Sequence, residues 1–232
     1  MTAKKVDTTK TEERIHSVEE ALTRTEEFIE KNQKIILIVV GAIIVIVLGF
    51  FGFRKYYLEP LEKEAQEQLF MAQIYFEQDS LALALNGDGN YLGFLDISDQ
   101  YGMTKAANLA NYYSGICYLK TGDYQSAIDY LEDFDGTDEV VAPLALGGIG
   151  DAYMELDQPE KAVSYYKRGA DNSKNELTAP MLLMKAGIAY QMLGKYSEAL
   201  DMYKRIKSDY PRSFEGVQID KYISYTESKI AQ

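Results

Sequence analysis

Residues 115–127, GICYLKTGDYQSA, and residues 187–199, GIAYQMLGKYSEA, share one pattern of small, aromatic and turn residues. Each opens with Gly-x-x-Tyr, places Gly-x-Tyr next, and closes on an alanine twelve residues after the first glycine. A third copy, residues 150–162, GDAYMELDQPEKA, keeps the first glycine, the tyrosine and the alanine and carries proline in the turn. The opening glycines lie 35 and 37 residues apart, a period typical of stacked helical hairpins.

The residue types in this pattern predict a pair of closely packed helices in each copy. The opening glycine and closing alanine are small, so two helices can approach there, and the tyrosine fills the space beside them. Gly122 and Gly194 suit the turn between the helices, where a residue with φ > 0 is needed. A hairpin cannot bury its own apolar face, so the copies should stack into a solenoid. The residues concerned are Gly115, Gly150, Gly187, Ala127, Ala162, Ala199, Tyr118, Tyr153 and Tyr190.

From about residue 107 to 213, these motifs resemble the tetratricopeptide repeat, whose period is close to 34 residues. The large aromatic residue often found early in such a repeat is absent, and Asn111, Leu146 and Leu183 stand near its place. The resemblance implies three repeats within an all-α fold. Residues 56–106 are predicted to form a membrane-proximal helix and a degenerate first repeat, and residues 214–232 a polar helix that caps the stack.

Residues 35–53, IILIVVGAIIVIVLGFFGF, form an uncharged run of nineteen residues. At 1.5 Å per residue a helix of this length spans about 28 Å, the thickness of a bilayer core. We therefore predict a single transmembrane helix that follows a tail, residues 1–34, containing a short amphipathic helix. Three basic residues flank the run on each side, so the positive-inside rule does not decide the orientation of the helix. A short tail usually stays cytosolic, which favours translocation of the larger domain.

Charge and composition narrow the classes of ligand. Residues 56–232 carry 15 Lys and Arg against 28 Asp and Glu, so phosphate backbones and anionic lipid headgroups should be repelled. The single cysteine, Cys117, and the single histidine, His16, exclude a disulfide and any Cys- or His-based metal cage. We expect no nucleic acid, no cofactor, no metal and no small-molecule substrate.

Motifs for catalysis are missing from the sequence. It contains no phosphate-binding loop, no zinc-protease motif and no nucleophile elbow. Cys117 has no identifiable base and is predicted to be a small core residue. Asn86, Asp88 and Asn90 have the spacing that begins a calcium loop, but Ile97 stands where its final glutamate should be. We therefore predict a protein that is not an enzyme.

In the tetratricopeptide family the first helix of each repeat lines the concave face, and its groove positions can be transferred by register. The predicted groove is mostly apolar and rich in methionine, a side chain that adapts its shape. We expect it to accept apolar segments of other proteins. Some of these side chains could instead pack against the neighbouring repeat. The transferred residues are Leu109, Tyr112, Ile116, Leu119, Asp151, Met154, Met181, Met184, Ile188 and Met192.

The whole arrangement resembles the YfgM-type ancillary subunits of the SecYEG translocon. The most specific stretches are TEEFIEKNQ at residues 25–33, NGDGNYLG at residues 86–93, and GGIGDAY, which ends at Tyr153. The resemblance implies a bacterial inner-membrane protein with its repeats in the periplasm. Its implied partners are translocon subunits, a membrane-anchored periplasmic chaperone and newly exported polypeptides. The alternative is a structural scaffold of an envelope assembly, such as the cell-division or outer-membrane machinery.

Overall fold

A computed structural model describes the backbone of residues 8–231 and the side chains of residues 30–231, and the chain divides into two compact units, residues 1–57 and 58–232. In the first unit the backbone from Thr8 to Phe53 is one α-helix, α1, followed by a π-helical turn from Arg54 to Leu58. The predicted amphipathic face of the tail falls on side chains outside the described residues.

The apolar part of α1 leaves its side chains uncovered. The helical stretch Glu30–Glu77 contains an 18-residue window with a mean hydropathy of 3.2, none of which is buried. Length and composition make it the one helix of the described residues that could cross a membrane. A core helix of a soluble protein, which is mostly buried, and a signal sequence near the N-terminus pass the same test of length and composition.

The second unit is all-helical within the described residues. The helices are α2 (Glu59–Glu77), α3 (Leu81–Asn86), α4 (Phe94–Gln100), α5 (Lys105–Thr121), α6 (Tyr124–Glu132), α7 (Val141–Glu155), α8 (Pro159–Asn172), α9 (Thr178–Met192), α10 (Tyr196–Asp209) and α11 (Phe214–Ile230). Consecutive helices pack on one another, and α5, α7, α9 and α11 also contact each other in series. The predicted helical-hairpin architecture is therefore confirmed.

The three predicted repeats correspond to the hairpins α5–α6, α7–α8 and α9–α10. Gly122 and Gly194 lie in their turns with φ of 86° and 71°, the left-handed conformation that the sequence predicts. In the middle hairpin Asp157 adopts φ of 56° instead. In all three turns a backbone N–H donates to the carbonyl of the repeat tyrosine, Tyr118, Tyr153 or Tyr190.

A fourth hairpin with the same turn stands before these three. The N–H of Ser80 donates to the carbonyl of Tyr75 at 2.9 Å, and Asp79 has φ of 56°. Ala72 and Ala84, at the positions of the opening glycine and closing alanine, are both fully buried. The hairpin is α2–α3, and the segment 87–93 interrupts its second helix before α4 begins. This is the region predicted to hold a degenerate first repeat.

The opening glycines lie where a second side chain fills the hairpin. A Cβ on Gly150 would come within 2.5 Å of Cε1 of Tyr166, and one on Gly187 within 2.3 Å of Cε1 of Tyr203. A Cβ on Gly115 would meet Cγ of Leu131 at 2.4 Å. Each of these partner side chains stands sixteen residues after its glycine, on the second helix of the hairpin. It leaves no room for a larger residue at the opening position of the first helix.

Helix α11 repeats the burial pattern of α9. Its buried Ile219, Ile223 and Thr226 lie 37 residues after Leu182, Ala186 and Ala189, which are fully buried in α9. Helix α11 therefore packs as the first helix of a further repeat would. Its free face is less polar than predicted for a cap, because Phe214 is 81% exposed and Val217 is 79% exposed.

Candidate protein-binding surface

Four of the predicted groove residues lie together on one face of α9. On one side of this face, Lys185 reaches α7 and its Nζ donates to Oδ2 of Asp151 at 2.6 Å. On the other side, Nε2 of Gln191 donates to Oγ1 of Thr226 on α11 at 2.7 Å. Helical periodicity places the face between these two contacts. Its residues are Met181, Met184, Ile188 and Met192.

The exposed part of this α9 face is at its C-terminal end. Ile188 is 40% exposed and Met192 is 68% exposed, whereas Met181 and Met184 are half-buried against the core of α8, α9 and α10. Methionine and isoleucine in such positions offer apolar contact area, and the methionines can change shape to fit a partner. The two ends of the face differ in depth, with half-buried side chains at Met181 and protruding ones at Met192.

The burial match between α9 and α11 identifies the corresponding face of α11. Adding 37 to the four α9 positions gives a polar and aromatic set in which Tyr225 is 53% exposed. Nζ of Lys229 stands 5.8 Å above the ring of Tyr225, and Nζ of Lys221 donates to Oε1 of Gln218 at 3.1 Å. We refer to these two neighbouring faces as the α9–α11 surface: Met181, Met184, Ile188, Met192, Gln218, Lys221, Tyr225 and Lys229.

The predicted groove residues of α5 are placed differently. Tyr112, Ile116 and Leu119 are half-buried and pack against the core formed by α6 and α7, and Leu109 packs against the N-terminal core. A Cβ on Gly148 of α7 would lie 3.5 Å from Cδ1 of Ile116, which shows how closely the two helices approach. The four predicted residues of α5 thus take part in core packing, as Met181 and Met184 of α9 also do.

On α7 the predicted Asp151 is part of a polar cluster. Its Oδ1 accepts from the hydroxyl of Tyr166 at 2.7 Å and from Nζ of Lys185 at 2.7 Å. Burial and the neighbouring carboxylate raise the pKa of Tyr166 above its ordinary range, so the hydroxyl stays a hydrogen-bond donor. The nearby Met154 is half-buried against the core of α8 to α10. The carboxylate of Asp151 is therefore held by contacts within the repeat domain.

The next repeat lacks this cluster. Ile188 stands 37 residues after Asp151, and Tyr203 stands 37 residues after Tyr166. The hydroxyl of Tyr203 is buried and has no hydrogen-bond partner among the described residues. Burial raises the pKa of Tyr203 as well, with a smaller contribution from Tyr222. Replacing the carboxylate by isoleucine thus leaves a buried hydroxyl unsatisfied and an apolar side chain at the surface.

Sequence reasoning did not identify Lys185, Tyr166, Lys221 or Tyr225. The signal for them was present in the 37-residue offset between repeats, which aligns Lys185 with Tyr222 and Ile188 with Tyr225. The offset extends to α11 because this helix packs as a repeat helix, whereas the sequence predicts a cap there.

The segment that resembles the start of a calcium loop uses its carboxylate internally. Oδ1 of Asp88 accepts from the backbone N–H groups of Tyr91 at 2.8 Å and Asn90 at 2.9 Å, and Oδ2 accepts from the hydroxyl of Tyr75 at 2.8 Å. These bonds, first to Tyr91, then to Asn90 and Tyr75, lower the pKa of Asp88 to about 2. No group of three or more potential metal ligands occurs within the described residues.

Two further features that could carry chemistry are explained by local contacts. Cys117 is fully buried, and burial raises the pKa of its thiol to about 12, so no reactive thiolate is available. A cavity of about 370 Å³ opens between α6, α7 and α8. Three of its polar side chains contact one another: the hydroxyl of Tyr165 donates to Glu132, and Arg168 lies 4.9 Å above the Tyr165 ring.

Family comparisons agree with this repeat structure. A tetratricopeptide repeat model matches residues 109–134 and 182–213, and a second tetratricopeptide repeat model matches residues 145–175. These segments are tetratricopeptide repeats. They lie on the hairpins α5–α6, α7–α8 and α9–α10, with the third match extending to Ser213.

Two solved structures have a similar fold. Both come from a Podosopora anserina protein described as a putative kinesin light chain with nearly identical TPR-like repeats, one of them a variant with a single substitution. The variant has 12% identity and a TM-score of 0.55 and covers 74% of this chain and 88% of its own; the other has 12% identity and a TM-score of 0.56 and covers 74% and 89%. No protein of curated function matches the sequence. At this identity the likeness shows the fold alone.

Tetratricopeptide repeats bind other proteins and typically act as non-catalytic scaffolds. The repeats accordingly imply an adaptor role in protein–protein interaction. The α9–α11 surface is the part of its repeat domain where exposed apolar and aromatic side chains lie on two adjacent first helices.

Proposed function

We propose that this protein is a membrane-anchored tetratricopeptide adaptor that binds proteins at the inner-membrane translocon and assists newly exported polypeptides or their chaperones. Residues 35–53 are the proposed anchor, and the repeats lie in the periplasm. The observation that carries the proposal is the pairing of an uncovered, membrane-length apolar helix with a repeat domain that exposes apolar side chains on α9. The resemblance to YfgM-type translocon subunits supports the choice of partners.

Tethering gives such an adaptor its activity. A surface fixed near the membrane meets emerging chains at a high effective concentration, so weak individual contacts suffice. The acidic domain, with 28 Asp and Glu against 15 Lys and Arg in residues 56–232, is kept from adhering to anionic headgroups and leaves its surface free for protein.

Site-specific photo-crosslinking in native membranes tests this function. Met192 is replaced by a photoreactive amino acid, because it is exposed and lies on the α9–α11 surface, and Lys204, exposed on α10, serves as the control position. Translocon subunits or exported polypeptides should be crosslinked from position 192 and not from 204. Recovery of neither class from position 192 would overturn the translocon assignment.

Orientation is tested separately with a membrane-impermeant maleimide. Cys117 is buried, so a Lys204→Cys variant carries the one exposed thiol of the repeat domain. Labelling in intact spheroplasts places the repeats in the periplasm; labelling only after lysis places them in the cytosol.

The second candidate, a structural scaffold of an envelope assembly, shares the binding domain and differs in its need for the anchor. The repeats are exported without residues 35–53 into a strain that lacks the protein. An adaptor at the translocon should lose its function, whereas a diffusible scaffold should keep it.

A further inference from the structure

Two lysines on the α9–α11 surface have no acidic partner among the described residues. Lys221 contacts the side chain of Gln218 and lies 4.9 Å above the ring of Tyr222, and Lys229 lies above Tyr225. Three other lysines of the domain pair with carboxylates: Lys120 with Asp79, Lys185 with Asp151 and Lys207 with Asp220. In a domain with an excess of carboxylates, two ammonium groups without a carboxylate partner lie on one face of α11.

Two of the three acidic residues of α11, Asp220 and Glu227, lie away from this face, and the third, the half-buried Glu215, stands one turn before Gln218. Asp220 is directed to α10, where it pairs with Lys207 at 2.7 Å. Glu227 is nearly on the same side, since seven residues complete almost two helical turns. The eight positions of the α9–α11 surface contain no carboxylate, and Asp151 on the neighbouring α7 is paired with Lys185. The surface therefore combines apolar side chains on α9 with a positive edge on α11.

We propose that the α9–α11 surface binds an amphipathic acidic segment of a partner protein, with its apolar side chains on α9 and its carboxylates against Lys221 and Lys229. The proposal rests on the proposed binding function and adds the chemistry of the partner. Charge complementarity of this kind speeds association and selects partners, while the apolar contact supplies most of the affinity.

The spacing of the two lysines sets the pattern that a partner needs. Lys221 and Lys229 are eight residues apart, about 12 Å along the helix. A partner helix packed alongside α11 matches them with glutamates at i and i+7 or i+8. Its apolar residues would lie on the adjoining side of that helix, toward the methionines and Ile188 of α9.

Other occupants fit this surface less well. A second copy paired through the same face of α11 would bring the lysines of the two copies close together, which is repulsive. An anionic bilayer would attract the two lysines but repel the remaining domain, where acidic residues outnumber basic ones by 28 to 15. An acidic protein segment contacts the positive face without bringing other charged surface close.

The test is a titration of the full chain in phosphatidylcholine nanodiscs with labelled synthetic helical peptides. The acidic peptide carries leucines on one face and two glutamates eight residues apart; the basic peptide has lysines in their place. The variants are Lys221→Glu/Lys229→Glu and, as a matched control, Lys204→Glu/Lys174→Glu, which reverses two exposed lysines elsewhere. Fluorescence anisotropy gives Kd at low and high salt.

The wild-type chain should bind the acidic peptide about tenfold more tightly than the basic one, and this preference should weaken with salt. Reversal at Lys221 and Lys229 should invert the preference, and the control pair should leave it unchanged. Equal binding of both peptides, or an unchanged preference in the reversed variant, would overturn the proposal. So would self-association or binding to anionic vesicles that is lost in the reversed variant.

This outcome is independent of the crosslinking experiment. Crosslinks to translocon proteins from position 192 without a peptide preference would refute the acidic partner and leave the translocon function standing. A clear preference for the acidic peptide without such crosslinks would support the acidic partner and refute the translocon function.

Discussion

The hairpins α7–α8 and α9–α10 solve the same packing problem and present different surfaces. Both place a tyrosine from the second helix beneath an opening glycine, Tyr166 under Gly150 and Tyr203 under Gly187. In the first, the hydroxyl donates to Asp151, which Lys185 also binds. In the second, isoleucine replaces the aspartate, and the hydroxyl of Tyr203 has no partner within the described part of the chain.

This difference shows how a repeat protein separates stability from binding. The α7–α8 hairpin satisfies its buried hydroxyl and closes its surface with an ion pair to the next repeat. The α9–α10 hairpin leaves a buried polar group unsatisfied, which costs stability, and gains an exposed apolar position at Ile188. The position that stabilises one repeat as Asp151 is thus occupied in the next repeat by Ile188, which is exposed and available to bind a partner protein.

The largest expected effect comes from filling the space under the two tyrosines. Gly150→Ala should lower the free energy of unfolding by about 3 kcal/mol and Gly187→Ala by about 2 kcal/mol. The closer contact is at Gly187, but a shift of the Tyr203 ring breaks no hydrogen bond among the described residues, whereas a shift of the Tyr166 ring strains its bond to Asp151. Urea denaturation of the full chain in detergent, followed by circular dichroism, measures both.

Gly102→Ala is the control for these variants, because its Cβ would meet only the carbonyl of Ser98 at an ordinary 3.4 Å. It should be nearly neutral. A larger loss for Gly187→Ala than for Gly150→Ala would contradict the role assigned to the hydroxyl of Tyr166.

Converting the second repeat to the third is the next test. Asp151→Ile should lower the free energy of unfolding by about 2 kcal/mol, mostly because the hydroxyl of Tyr166 loses its acceptor. The ion pair itself contributes less, since the side chains of Lys185 and Asp151 are 35% and 34% exposed and solvent screens them. Thermal denaturation of Asp151→Ile beside Asp151→Asn, which retains an acceptor, separates the two contributions; equal losses would argue against this division.

The reverse exchange affects binding more than stability. Ile188→Asp places a carboxylate where it can accept from Tyr203, so the unfolding midpoint should stay within error of the wild type. The same carboxylate should weaken binding of the acidic peptide about tenfold, because it adds a like charge to the surface and removes apolar contact. Anisotropy titration measures the loss. Ile188→Asn, which adds polarity without charge, should lose clearly less.

The smallest effects have opposite signs in the two hairpins. Tyr203→Phe removes an unsatisfied buried hydroxyl and should raise the free energy of unfolding by about 1 kcal/mol. Tyr166→Phe removes a satisfied one and should lower it by about 1 kcal/mol. Urea midpoints compared at equal slope give both values. Two changes of the same sign would mean that the hydroxyl of Tyr203 has a partner in solution.

The hairpins with a glycine in the turn could be predicted from the sequence because their signals are local. Gly122 and Gly194 mark turns that need φ > 0, and the small residues mark close helix contacts whatever surrounds them. The α2–α3 hairpin was predicted only as a degenerate repeat. Alanine replaces its opening glycine at Ala72, and Asp79 takes the left-handed turn position. The fold accommodates both residues, but each differs from the glycine by which the repeat pattern is recognised in the sequence.

The candidate surface was less predictable, because exposure depends on contacts between repeats. Ile116 and Ile188 occupy equivalent positions, but the glycine at residue 148 lets Ile116 pack against α7. Ile188 is not covered in this way by the described residues and stays at the surface. The sequence alone also does not show that α11 packs like α9, and the positive edge of the surface depends on that.

Three glycines in one helix give α7 a particular place in the folding of the domain. Gly147, Gly148 and Gly150 each admit a side chain from a neighbour, with Leu182 on one side and Leu131 on another. Together they cost about 3 kcal/mol of intrinsic helix stability relative to alanine. A unit that is weak alone and strongly coupled to both neighbours makes a linear array fold cooperatively. Helix α7 should therefore link the unfolding of the hairpins before and after it, so that the repeats melt in one transition.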